Sequence, residues 1–290
     1  DSRTLEPGAL FVALPGAKTD GSRFIDQAME RGAAAVLCQQ PPKRPGPWLT
    51  TPDARLALAL ASANWFDHPG AEMTLIAVTG TNGKTTTTCL IKEMLEQTLR
   101  VPVGLVGTNR NLVGQQELPA HRTTPESYEV QQLLREMADS GCTHVVMEVS
   151  SHALVQHRVE GLDFSVAAFT NLTQDHLDYH HTFDDYFEAK ALLFSKDYPA
   201  RRVISIDGSW GRELLRRCTA AGDEVITTGF DVSAQIHPVE VTYEAARTKA
   251  VLEVLPDLDW KPDVINCNDW QTALVPVYYN LMFASRPFYE

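Results

Sequence analysis

Residues 78–88, Val-Thr-Gly-Thr-Asn-Gly-Lys-Thr-Thr-Thr-Thr, lie between the apolar run Leu75 to Val78 and a helix-like stretch from Cys89 to Leu99. A buried strand that runs into a glycine turn and then a helix makes a cradle for nucleotide phosphates. Gly80 and Gly83 reach backbone angles closed to other residues, so several amide N–H groups point inward at one polyphosphate. A helix opening near Lys84 adds its positive end. Lys84 is then expected to reach the outer phosphates as a point charge, and Thr85 to hold a magnesium ion that bridges them. The common frame of glycine, four residues, then Gly-Lys-Ser/Thr is not met, because Val78 occupies its first position. The strand before the turn and the helix after it still predict binding of ATP or a close relative. Thr86, Thr87 and Thr88 read as first-turn helix residues.

At 290 residues and 44% hydrophobic content the chain can bury a sizeable core, and its length suggests about two domains. The formal net charge of -12 argues against a nucleic-acid surface, which needs clustered Lys and Arg. Cys38, Cys89, Cys142, Cys218 and Cys267 are scattered without metal or redox spacing, as expected for reduced thiols in a cytoplasmic protein. No apolar stretch approaches the roughly 20 residues that cross a bilayer, and no signal peptide opens the chain. The start at Asp1-Ser2-Arg3, without Met, predicts a natural product that begins further upstream.

Residues 1 to about 68 read as a small α/β unit: strands at 9–14 and 33–38, a helix at 24–31, a proline-rich connection at 41–47, then an alanine-rich helix at 55–66 broken by His68-Pro69-Gly70. The first boundary falls there. From Met73 onward apolar strands (75–78, 103–106, 144–149, 167–170, 203–206) alternate with helices (86–99, 127–138, 183–194). Alternation of this kind predicts a mostly parallel, buried sheet with its ligand site at the carboxyl ends of the strands.

Met147-Glu148-Val149-Ser150-Ser151-His152 ends one of those strands, which brings Glu148 to the rim of the phosphate turn as a magnesium carboxylate. Asn171-Leu172-Thr173-Gln174-Asp175-His176-Leu177-Asp178-Tyr179-His180-His181 follows another. Its histidines lack the Cys partner or His-Glu-x-x-His helix of a zinc site, so magnesium with phosphate is the better reading. His176 is the member expected to act, and His180 and His181 are expected at the surface. Lys190 sits in an apolar helical stripe, where a lone Lys is expected to turn its ammonium to water.

In order and spacing, Gly80-Thr81-Asn82-Gly83-Lys84-Thr85-Thr86, Thr123-Thr124-Pro125, the segment Met147 to Arg158 and Asp175-His176-Leu177-Asp178-Tyr179-His180 resemble the Mur ligases of peptidoglycan synthesis. Within that family they resemble the MurE branch, which adds the third amino acid to UDP-N-acetylmuramoyl-L-alanyl-D-glutamate. The resemblance runs from residue 1 to about 245. It implies an N-terminal UDP-substrate-binding α/β domain over 1–70 and a central P-loop-type parallel-sheet ATPase domain over 71–249. Folylpolyglutamate synthase shares the phosphate turn, but the Asp1-Ser2-Arg3 start and the Glu148 to Arg158 segment favour the MurE branch.

The implied chemistry is phosphorylation of the substrate's carboxylate by ATP, followed by attack of the incoming amine on the acyl phosphate. Carried over residue by residue, Gly80 to Thr86 and Asn171 bind the nucleotide. Thr85 and Glu148 hold a first magnesium; His176 and Lys190 stand at a second, Lys190 as a carbamate whose carboxylate replaces a cation. Lys84, His176 and Lys190 are the implied catalytic residues. Ser2 is the implied uridine contact, near the turn at 17–19, and Thr123, Thr124, Ser150, Gln156 and Arg158 are the implied contacts to the muramoyl peptide. Hydroxyls, an amide and a guanidinium suit a substrate rich in carboxylate and phosphate oxygens. Arg122 departs from the pattern, where a small polar residue is common. Expected partners are small molecules (UDP-muramoyl dipeptide, an amino acid, ATP), with no nucleic acid, no membrane and a monomeric state.

A complete Mur ligase carries a third, C-terminal domain, which this chain is expected to lack; the motif that separates diaminopimelate from lysine belongs to that domain. Residues 250–290 read as foreign. The segment Trp260 to Val277, which opens Trp260-Lys261-Pro262-Asp263-Val264-Ile265-Asn266-Cys267-Asn268-Asp269-Trp270-Gln271, resembles the ADP-glucose domain of bacterial glycogen and starch synthases. The expectation is a truncated or spliced product, with a tail strand at 264–267 and a helix at 270–281. The competing readings are a module that binds nucleotide and UDP-muramoyl peptide without turnover and, on the tail alone, a glycosyltransferase.

Overall fold

The computed structural model describes residues 2–16, 19–173, 180, 182–244, 247–254 and 265–266. The expectations at His176, at the 17–18 half of the N-terminal turn, at His181 and at the tail helix fall outside those residues.

The N-terminal unit is a three-stranded parallel sheet of β1 (Leu10–Val12), β2 (Ala35–Cys38) and β3 (Trp48–Thr50) in sequence order. Helix α1 (Ile25–Glu30) covers it, and Phe11, Ile25, Ala28, Val36 and Cys38 close a small core. Strand β3 lies directly after the proline-rich connection, where no strand is expected from sequence. Helix α2 (Ala54–Trp65) starts at Asp53, whose carboxylate accepts from the Arg55 and Leu56 amides at 2.8 and 3.0 Å. This helix packs on the central unit: Phe66, at its end, meets the Tyr128 ring edge-on at 5.2 Å.

Among the described residues the central sheet has eleven strands. Its parallel middle runs β5 (Val103–Val106), β8 (His144–Glu148), β4 (Thr74–Thr79), β9 (Phe164–Phe169), β10 (Arg201–Ser205) and β11 (Val225–Thr228). Antiparallel pairs extend both sides: β6 (Asn111–Val113) with β7 (Gln116–Leu118), and β12 (Ile236–Glu244) with β13 (Arg247–Val254), then β14 (Ile265–Asn266). The parallel sheet expected from alternation is therefore present, with hairpins closing its edges.

Because successive side chains point to opposite faces, β4 serves two cores. Leu75 and Ala77 join the layer under α4 (Ser127–Asp139) with Leu134, Met137 and Met147. Ile76 and Val78 join the layer under α3 (Lys84–Leu99) with Ile91, Leu95 and Val146. Both faces of β4 are sealed, and its carboxyl end opens onto the glycine turn. Helices α5 (Ser151–Val155), α6 (Phe183–Ala191) and α7 (Ser209–Ala220) complete the described helices. No helix among the described residues is long and apolar enough to cross a membrane.

Candidate active site

The turn after β4 has the backbone its glycines foretold. Gly80 has φ 144° and Gly83 φ 84°. A Cβ at Gly80 would also stand 1.9 Å from Thr170 Oγ1. Gly83 caps α3 without a side-chain bond, leaving the first helical amides for the turn. Lys84 Nζ lies back on its own loop, donating to the carbonyls of Gly80 and Thr81 at 3.0 and 2.9 Å. Thr87 and Thr88 lie in the helix, as the sequence implied, and both are buried.

The loop after β9 laces this turn in place. Asn171 Oδ1 accepts from the Asn82 amide at 3.0 Å, and its Nδ2 donates to the Asn82 carbonyl at 3.1 Å. Thr170 Oγ1 donates to the same carbonyl at 2.7 Å, and Thr81 Oγ1 accepts from the Thr173 amide at 3.1 Å. Asn171 thus grips the phosphate turn directly.

Glu148, at the end of β8, is 1% exposed. Its Oε1 accepts from the Thr108 amide and its Oε2 from the Thr108 hydroxyl, both at 2.9 Å. Gly107 makes room for it, since a Cβ there would sit 2.7 Å from Glu148 Oε1. With Thr85, Cys89, Asn109 and Arg110, Glu148 lines a pocket of about 310 Å³ beside the turn. A buried carboxylate and a threonine among the lining residues suit a hard divalent cation. Burial pushes the Cys89 thiol up from its ordinary range, and the nearby Arg110 partly opposes this.

From its backbone Glu148 reaches the second cluster. Its carbonyl accepts from Thr124 Oγ1 at 2.8 Å, and Thr124 Oγ1 in turn accepts from the Ser150 amide at 3.1 Å. Ser150 caps α5 by accepting from the Ala153 amide at 3.2 Å. Arg158 donates to the Thr124 carbonyl at 2.9 Å and to Gln156 Oε1 at 2.8 Å. The Thr123 hydroxyl lies 3.0 Å from that of Thr108. Thr123, Thr124, Ser150, Gln156 and Arg158 are therefore one group. Ser2 belongs to the N-terminal unit, where its hydroxyl donates to Gln27 at 2.8 Å.

Two expectations about exposure are corrected. Lys190 does not turn to water: it is 2% exposed, donates to the Gly80 carbonyl at 2.8 Å and lies 4.4 Å from the centre of the Tyr186 ring. His180 is no surface residue either. Its ring is buried between His152 and Tyr186, with Nε2 2.8 Å from Ser151 Oγ. The aromatic and hydroxyl partners that hold both side chains lie on α5 and α6, which the sequence does not reveal as packed together. Thr108 also escaped the sequence reading; its position in a loop facing the end of β8 carries no motif. Among the described residues no three His, Cys, Asp or Glu side chains form a metal-holding group.

The Mur ligase middle domain matches residues 78–264, and the Mur ligase family catalytic domain matches residues 1–59. The chain belongs to the Mur ligase family. A starch synthase catalytic domain also matches residues 240–290, overlapping the end of the Mur match. This Mur ligase chain is 44% identical over 247 residues to the UDP-N-acetylmuramoyl-L-alanyl-D-glutamate--2,6-diaminopimelate ligase of Gloeobacter violaceus, covering 84% of the chain and 49% of that protein. Its counterpart of the same name in Chlorobaculum tepidum is 49% identical over 261 residues, covering 86% and 51%. A solved structure of a ligase of that name superposes with a TM-score of 0.77 at 28% identity, over 97% of this chain and 57% of that one. The Mur ligase chain thus spans about half the length of the curated relatives it matches.

Proposed function

We propose that the chain carries the substrate- and ATP-binding half of an ATP-dependent amide ligase that joins 2,6-diaminopimelate to UDP-N-acetylmuramoyl-L-alanyl-D-glutamate in the cytoplasm, acting as a monomer. One observation carries the reading. Glu148 faces the phosphate-turn pocket with its carboxylate and accepts the Thr124 hydroxyl on its carbonyl, so the nucleotide cradle and the cluster read as the muramoyl-peptide site share one residue. The names of the relatives at 44% and 49% identity support the substrate and the acceptor.

In this reading the turn at 80–83 and the first amides of α3 orient the terminal phosphate of ATP, and Lys84 leaves its loop carbonyls to meet it. Thr124, Ser150 and Arg158 hold the muramoyl peptide so that its terminal carboxylate lies in line with that phosphate. The carboxylate oxygen bonds to phosphorus as the bond to ADP breaks; the amine then adds to the acyl carbon and phosphate leaves. Thr85 and Glu148 would hold magnesium, which neutralises phosphate oxygens when bound. Lys190 as an ammonium does not fit a cation site. As a carbamate it would fit, with His176 as its partner in a second one.

The test is ADP release from Mg-ATP by the purified chain with UDP-muramoyl dipeptide, with and without diaminopimelate. Release that needs all the substrates supports the ligase. Binding of UDP-muramoyl dipeptide and ATP in a calorimeter without release supports the alternative of a binding module, and absence of both removes the proposal.

A further inference from the structure

Backbone is not the only link between the phosphate turn and the muramoyl-peptide cluster; a second runs through three side chains. Thr108, in the loop between β5 and β6, stands with one Oγ1 2.9 Å from Glu148 Oε2 and 3.0 Å from the Thr123 hydroxyl. A carboxylate only accepts, and a threonine carries one hydroxyl proton, so that proton goes to Glu148 and Thr123 must donate to Thr108. The order is fixed: Thr123 to Thr108 to Glu148. The Thr108 amide adds a bond at 2.9 Å to Glu148 Oε1, which pins the plane of the carboxylate. Each carboxylate oxygen has two lone-pair sites, so each keeps one for a cation.

Thr108 is exposed, while Glu148 is buried. An exposed loop residue that gives both of its donors to one buried carboxylate adds little to the core; what it does is aim that carboxylate. The same proton order turns the Thr123 hydrogen toward Thr108. Thr123 is then left to meet a ligand with lone pairs, a poor match for a substrate rich in carboxylate and phosphate oxygens. A cation on Glu148 draws charge from its oxygens, and the pull of Glu148 on the Thr108 proton, and of Thr108 on the Thr123 proton, slackens. The Thr123 hydroxyl is then released to donate to an acidic ligand. The Thr124 bond to the Glu148 main-chain carbonyl, at 2.8 Å, has no such response, because that carbonyl carries no charge to neutralise. We infer that Thr108 is a positioning residue that couples two ligands: with Mg-nucleotide in the turn, Thr123 holds the acidic muramoyl peptide more tightly. The inference rests on the proposed substrates and on Glu148 as the cation's carboxylate.

The test titrates the full chain with UDP-muramoyl dipeptide in a calorimeter, with and without saturating magnesium and a non-hydrolysable ATP analogue, and then the analogue with and without the dipeptide. In the unaltered chain each ligand should tighten the other by about tenfold, and by the same factor in both directions. Thr108→Val keeps the side-chain shape without the hydroxyl and should reduce that factor to about twofold or less, and Thr108→Ser should restore it. A larger factor in Thr108→Val overturns the inference even where the separate affinities or the melting temperature fall, since a merely structural role would weaken each ligand and leave the factor alone. A factor that Thr108→Ser does not restore also overturns it, by assigning the effect to the methyl group. If the unaltered chain binds both ligands independently, or one of them alone, the inference fails while the proposed function stands. If it binds neither, the proposed function fails and the inference with it.

Discussion

Lys84 and Lys190 meet on one oxygen: the Nζ atoms donate to the Gly80 carbonyl at 3.0 and 2.8 Å. One of the two ammonium groups is 2% exposed, and an anion brought between them would be held by both charges. A phosphate would give Lys84 a charged acceptor. A carbamate on Lys190 would remove one of the cations altogether.

Carbamylation therefore has a direct readout. With ¹³C-labelled bicarbonate at mildly alkaline pH, the chain should give a carbamate signal in its NMR spectrum that disappears in Lys190→Met. A spectrum of the unaltered chain without that signal would show that Lys190 stays an amine.

Lys84→Ala should lower ATP affinity at least tenfold, about the worth of one charge-assisted hydrogen bond, with little change in melting temperature, because Lys84 is only part-buried. Calorimetric titration with Mg-ATP measures it. An unchanged affinity would mean that the turn does not bind phosphate.

Gly80→Ala combines two faults. The backbone at φ 144° resists a side chain, and the added Cβ would press on Thr170 Oγ1 at 1.9 Å. Strain and overpacking of this kind cost on the order of 1–3 kcal/mol each. Thermal unfolding should show the loss, with nucleotide binding lost alongside it.

Thr108→Val keeps the amide donor to Glu148 but removes the hydroxyl bond at 2.9 Å. An unmatched buried carboxylate oxygen costs about 1–3 kcal/mol. The magnesium concentration for half-maximal nucleotide binding should rise, and a titration that left it unchanged would detach Thr108 from the pocket.

Cys89 offers a probe of the same pocket. Its thiol is raised by burial, so little thiolate exists near neutrality and alkylation should be slow there, quickening as pH climbs. Mg-ATP should slow it further if the pocket it lines with Thr85 and Glu148 takes the nucleotide. Peptide mass mapping at fixed pH, with and without nucleotide, measures the protection.

Much of the central unit was legible because its signals are local. The run Val103–Val106 and the amphipathic stretch at 127–139 fall where period and caps put them. The hairpin Asn111–Leu118 and helix Ser209–Ala220 escaped: the strands have three residues each, and the helix carries six charged or hydroxyl side chains in a stretch with no apolar run. At the site, Gly80, Lys84 and Glu148 announce themselves by type and position. Lys190 and His180 do not, because their burial depends on Tyr186, Ser151 and His152 arriving from other segments. Glu126 hides for the same reason, since its partners at 55 and 158 are distant in sequence.

Strand β4 pairs in register with β8 on one side and β9 on the other, Val78 opposite both Glu148 and Ala168. The segments that continue from those strand ends supply the glycine turn, the carboxylate and the threonine–asparagine brace. Their mutual spacing is thus set by ladder hydrogen bonds rather than by the loops themselves. A slip of one residue in either pairing would turn Glu148 or Thr170 to the wrong face, so mistakes in sheet assembly and loss of chemistry are here a single event.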